Sequence, residues 1–86
     1  MTVDPRELWN LDITLAEYIA PRLRAFASTV EGYPGDLPNL EAWKAEIERM
    51  AVAFENIHVL GTEAWPDHVD QADLDLFAKR LGHLWQ

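Results

Sequence analysis

Leu11, Leu15, Ile19, Leu23, Phe26 and Val30 recur at steps of four, four, four, three and four residues. Only an α-helix places positions so spaced on one face, so this stripe restricts the chain to a helical framework. A second stripe, Trp43, Ile47, Met50, Phe54 and Ile57, repeats the pattern further on. A third follows in Leu74, Phe77, Leu81, Leu84 and Trp85. No segment shows the period-two alternation of a half-buried strand. The expected class is all-α: three main helices over about 13–31, 39–60 and 70–85, preceded by a short helix over about 5–10. The 86 residues are expected to form one acidic helical domain, residues 1–86.

The boundaries follow from local chemistry. Asp4, Pro5 and Glu7 stand at the cap, first and third positions of the short helix, with Val3 and Leu8 at the two hydrophobic-staple positions. Asp12 would interrupt the first long stripe, and reading it as an N-cap starts the next helix at Ile13. Pro21 removes one backbone donor and predicts a kink, because the stripe resumes in phase beyond it. Ile13, Ala16, Ala20 and Ala27 widen the apolar face to about half the circumference, the mark of a central helix or of an oligomer contact. Residues 31–38, with two Gly and two Pro, read as a loop, and Asn39 as the following cap. Gly61 reads as a helix terminator, with Trp65 and Pro66 in the loop after it. Asp70 caps the last helix, with Val69 and Leu74 as its staple and Asp73 near its positive end. Gly82, costing about 1 kcal/mol relative to Ala, points to close helix packing. Leu76 falls off the last helix's core face and points to a contact.

Charge and composition exclude several classes. Fifteen acids against seven Lys and Arg give a net charge of −8, a field that repels nucleic acid and anionic membranes. Cysteine is absent, which removes disulfides and thiolate metal sites. The longest apolar run is five residues, Met50 to Phe54, far from the ~20 of a spanning helix. The first residues lack a basic start and apolar stretch, so no secretory signal is read and a cytoplasmic protein is expected.

Candidate chemistry is sparse. Glu55-Asn56-Ile57-His58 has the spacing of a di-metal carboxylate half-site, but such centres need two of these pairs and two further Glu. With one pair available, no metal, cofactor or catalytic residue is expected. Asp67-His68 and Asp70 with Asp73 offer hard ligands, and capping explains these Asp residues without a metal. The single Ser, Ser28, lies mid-helix, which gives no nucleophile–base arrangement. The glycines do not form a phosphate loop. Trp43 and Trp85 fall on buried stripes, whereas Trp9 and Trp65 flank helix breaks.

Two partner readings remain. Between Met50 and Ala78 there are six acids and no Lys or Arg. This stretch is either a solvated face with capping acids or a surface for a basic protein, with Glu63, Asp67, Asp73 and Asp75 as its contacts. The alternative is an oligomer that sequesters a nucleotide signal, using Arg22, Arg24, Lys79, Arg80 and His83 for phosphate and Trp9 or Trp65 for stacking. The net charge weighs against that anion site.

Leu8-Trp9-Asn10-Leu11-Asp12-Ile13-Thr14-Leu15-Ala16-Glu17-Tyr18-Ile19-Ala20-Pro21-Arg22-Leu23-Arg24-Ala25-Phe26 resembles the opening of a group of small, uncharacterised proteins encoded by tailed bacteriophages. Gly32-Tyr33-Pro34-Gly35, the Trp43, Met50 and Phe54 stretch, and Leu74-Asp75-Leu76-Phe77-Ala78-Lys79 with Leu84-Trp85 follow the same pattern in the same order. The usual ending of the group carries an acid after Leu-Trp, where this chain has Gln86. The resemblance implies a phage accessory protein in the host cytoplasm. Taken with the acidity, the small size and the lack of catalytic motifs, it favours non-catalytic binding of a host or phage protein, inhibition of a bacterial defence system being one form. The resemblance implies no reaction.

Overall fold

The computed structural model describes residues 3–65 and 67–85. Pro66, expected in the second loop, and Gln86 lie outside the described residues. Three α-helices, α1 (Leu11–Thr29), α2 (Leu40–Leu60) and α3 (Gln71–Arg80), are joined by irregular segments and short 3-10 helices, with no strand among the described residues. The all-α bundle read from the stripes is therefore observed. Helix α2 is its centre: α1 packs along it, and α3 lies against it as well.

The chain opens with a 3-10 helix, Pro5–Leu8, rather than a helix reaching residue 10. Asp4 caps it, its carboxylate accepting from the Arg6 amide at 3.0 Å and pairing with the Arg6 guanidinium at 2.8 Å. Val3 and Leu8, the expected staple, both remain exposed. Helix α1 begins at Leu11, so Asp12 lies in its first turn and is not its cap. The Thr14 hydroxyl explains the earlier start: it donates to the Glu7 carbonyl at 3.2 Å and ties the opening turn to α1. Asp12 still sits at the positive end of the helix dipole. Pro21 lies inside α1 without ending it, and Val30 closes the helix with its amide on the Phe26 carbonyl.

Of the expected α1 stripe, Leu23 and Val30 are buried and Ile19 and Phe26 pack against the core, while its first two members, Leu11 and Leu15, face solvent. Ala16 and Ala20 are buried as well. Burying the alanines lets α1 approach α2, which itself buries Ala51 and Ala53. Small side chains permit that approach, and the turn toward them carries Leu11 and Leu15 out toward solvent. On α2 the expected stripe of Trp43, Ile47, Met50, Phe54 and Ile57 is buried throughout. Phe26 meets Trp43 edge-on at 6.4 Å, and Phe77 meets Phe54 at 4.9 Å. Such edge-to-face pairs add about 0.5–1.5 kcal/mol beyond area burial.

The caps of α2 and α3 are as read. Asn39 accepts from the Ala42 amide at 2.8 Å, and Asp70 from the Ala72 amide at 2.9 Å. Gly61 ends α2 at φ +60°, a backbone region that favours glycine, with its amide on the Ile57 carbonyl. Ala64 and Val69 are buried.

Helix α3 stops at Arg80 and gives way to a 3-10 helix, Leu81–His83, instead of continuing to residue 85. Leu81 and Trp85, placed on its buried stripe by periodicity, are exposed. The residue turned inward is Arg80, beside the partly buried Phe77 and Leu84. A Cβ on Gly82 would meet nothing within 4 Å, so close packing does not account for that glycine. Leu76 packs against the core cluster rather than outward. Among the described residues, no helix is long and apolar enough to cross a membrane.

Candidate functional site

Most of the basic residues are tied into the fold. Arg80 donates to Glu46 on α2 at 2.7 Å and to Asp36 in the 30–39 loop at 2.9 Å, with its guanidinium 5.9 Å from the Trp43 ring centroid. Glu46 and Asp36 hold its guanidinium more firmly protonated than usual. Arg80 in turn keeps the Asp36 carboxyl below the usual range. Arg24 bridges α1 to α2 through Glu55 at 2.7 Å and through Glu48. Hydrogen bonding from Arg24 depresses the Glu55 carboxyl in the same way. Glu55 of the Glu-x-x-His pair therefore holds two helices together, and His58 stands exposed. Among the described residues, no group of three His, Asp or Glu is placed to hold a metal ion.

The residues of the nucleotide reading are dispersed. Arg22 lines an apolar groove of about 270 Å³ with Tyr18, Ile19, Leu23, Phe26, Phe77 and Leu84. Arg24 lines a depression beside Glu55 and His58. His83 lies with Tyr33 and Trp85 in a third cleft, and Trp65 in a fourth. Trp9 and Lys79 are exposed. Four concavities thus share what a single phosphate-and-base site would have to gather, and Arg80 is buried away from all of them.

The acidic residues are better grouped. Trp65 stands exposed in a cleft of about 490 Å³ that it shares with Asp67, Val69, Asp70 and Gln71. Val69 is buried and forms the apolar floor, and the two carboxylates are exposed. Asp75, one helical turn past Gln71, accepts from that side chain at 3.1 Å, and Glu63 is exposed two residues before Trp65. Asp73 departs from the expectation. Arg49, just ahead of the acidic stretch in sequence, reaches across from α2 and pairs with it at 2.7 Å, so Asp73 is neutralised within the chain. What remains is an aromatic face flanked by carboxylates, a composition that accepts a cationic side chain by both cation–π and charge-assisted contacts.

Sequence reasoning left three features unseen. Arg80 as a buried hub had a signal: it follows Phe77 by three residues and precedes Leu84 by four, so a cation stands within an apolar stripe. The Arg49–Asp73 pair had none, since 24 residues separate the two. Placing Trp65 among acids required knowing how the segment after Gly61 folds back over α2, with Asn56 donating to the His68 carbonyl at 2.8 Å.

The class that this architecture defines is a small all-α bundle. Compared with family models, curated proteins and solved structures, the chain matches none.

Proposed function

We propose that this chain is a non-catalytic binding protein that docks onto a basic protein surface through the Trp65 cleft with its Asp67, aided by the exposed Glu63 and Asp75 close by in sequence. The observation that carries this reading is the exposed indole beside Asp67 and Asp70 above the buried Val69. Interface energy concentrates on a few anchors, tryptophan prominent among them. The surrounding acids steer a basic partner in and set the salt dependence of its arrival. Phosphate fits poorly here, because a ligand stacked on Trp65 would face two carboxylates at close range.

The resemblance to small phage proteins supports an accessory role in the host cytoplasm, where the partner would be a host or phage protein. Inhibition of a bacterial defence system is the specific form of that role we favour. The test is retention of a partner from infected-cell extract on immobilised chain, comparing wild type with Trp65→Ala and with Asp67→Asn/Asp75→Asn. Loss of the same basic protein from both variants supports the reading. Undiminished retention by both refutes it.

A further inference from the structure

Four of the chain's five arginines, Arg6, Arg24, Arg49 and Arg80, pair with a carboxylate of the same chain. Arg22 does not. Its guanidinium lies 3.6 Å from the Tyr18 ring centroid and donates to the Tyr18 carbonyl at 2.9 Å, with no carboxylate within ion-pair distance among the described residues. It sits at the lip of the groove between α1 and α3. Beside it runs an exposed apolar flank: Leu11 is 46% exposed, Leu15 50% and Tyr18 62%. Packing has turned these residues away from α2, and nothing among the described residues covers them. An occupant of this face must therefore be apolar along its middle and must bring an acid to Arg22.

We propose that the occupant is a second copy of the chain, its α1 crossing the first antiparallel about a two-fold axis near residue 17. A two-fold interface is isologous, so each residue meets its counterpart reflected through the centre. Asp12 and Arg22 each stand five residues from that centre, and Leu15 and Ile19 each stand two. One arrangement thus sets both arginines on the partner's Asp12, about 7 Å of helix either side of the axis, with Leu15 packed on Ile19. The cation without a carboxylate partner among the described residues gains one in the pair. The open apolar surface supplies part of the area such a pairing needs. Leu8, Leu11, Leu15 and Tyr18 leave roughly 400 Å² open, about half of what one partner gives to a standard interface. The groove walls, with Arg22 and Asp12, extend it. This surface is distinct from the Trp65 cleft and does not depend on it.

The experiment is sedimentation of the full chain at concentrations up to about 200 μM. A dimer is expected for the wild type. Leu15→Glu, a change at an exposed position, is expected to give a monomer with an unchanged helical circular dichroism spectrum. Arg22→Asp and Asp12→Arg should each weaken the dimer about tenfold or more by facing like charges across the axis. The double variant Asp12→Arg/Arg22→Asp should recover affinity to within a few-fold, which helix-dipole or folding effects of either change would not produce. A wild type that stays monomeric overturns the proposal and leaves the face to a different occupant. A dimer that the double variant fails to restore overturns the antiparallel pairing.

Discussion

Replacing Arg80 by Ala is the perturbation whose cost the structure fixes best. The Arg80 side chain is 3% exposed, Glu46 20% and Asp36 57%. Removing one member of a fully buried ion pair costs about 3–5 kcal/mol, because the other charge is left desolvated and unpaired. Here Asp36 is already mostly hydrated and Glu46 partly so, which lowers the expected loss to about 2–3 kcal/mol. In a domain of this size each kcal/mol shifts the melting temperature by about 4–8 °C, so Arg80→Ala should melt roughly 10–20 °C below wild type. Arg80→Met refills the volume beside Trp43 and should fall less. Arg80→Met combined with Glu46→Leu should recover most of the loss, since no unpartnered charge then remains in the core. Thermal unfolding followed by circular dichroism at neutral pH measures all three. If Arg80→Ala melts within about 2 °C of wild type, the buried-hub account is wrong.

The capping role of Asp70 predicts that Asp70→Ala loses about 1 kcal/mol, with a melting drop of roughly 4–8 °C; an unchanged melt would remove it as the start of α3. Acid should destabilise the fold through Asp36 and Glu55, whose carboxyls lie below their ordinary values of 3.8 and 4.5 in the folded chain. The unfolded state then binds more protons than the folded one, so this stability is complete above those ordinary values and is lost as pH falls through the depressed ones. Urea midpoints should therefore decline below about pH 4.5, and the decline should be shallower in Glu55→Gln; parallel profiles for the two proteins would contradict the Arg24–Glu55 tie.

The helices were legible in the sequence because periodicity and caps agree. Asn39 and Asp70 cap where read, and the stripe of α2 is buried at every position. On α1 the reading holds from Ile19 to Val30 and fails over the first two turns, where Leu11 and Leu15 are exposed. Hydrophobic spacing marks the bulkiest side chains, whereas packing against α2 also selected small ones, Ala16 and Ala20, for their close approach. The end of α3 failed for a related reason: a salt-bridged arginine replaced leucine on the buried side, and periodicity assigns no partner to a charge. The acidic surface was legible as composition only. Which acids stay open depends on long-range pairing, and Arg49 takes Asp73 out of the set while Trp65 joins it.

The central claim, a cleft that receives a basic protein, is tested most directly by parallel capture on four immobilised forms of the chain. These are wild type, Trp65→Ala, Asp67→Asn/Asp75→Asn and, as a control among the basic residues, Lys79→Ala. The account predicts one basic protein retained by wild type and Lys79→Ala and lost from the other two, with retention falling as salt shortens the Debye length from about 10 Å toward about 3 Å. Equal retention of that protein by Trp65→Ala and the double Asn variant, together with loss on Lys79→Ala, would contradict it.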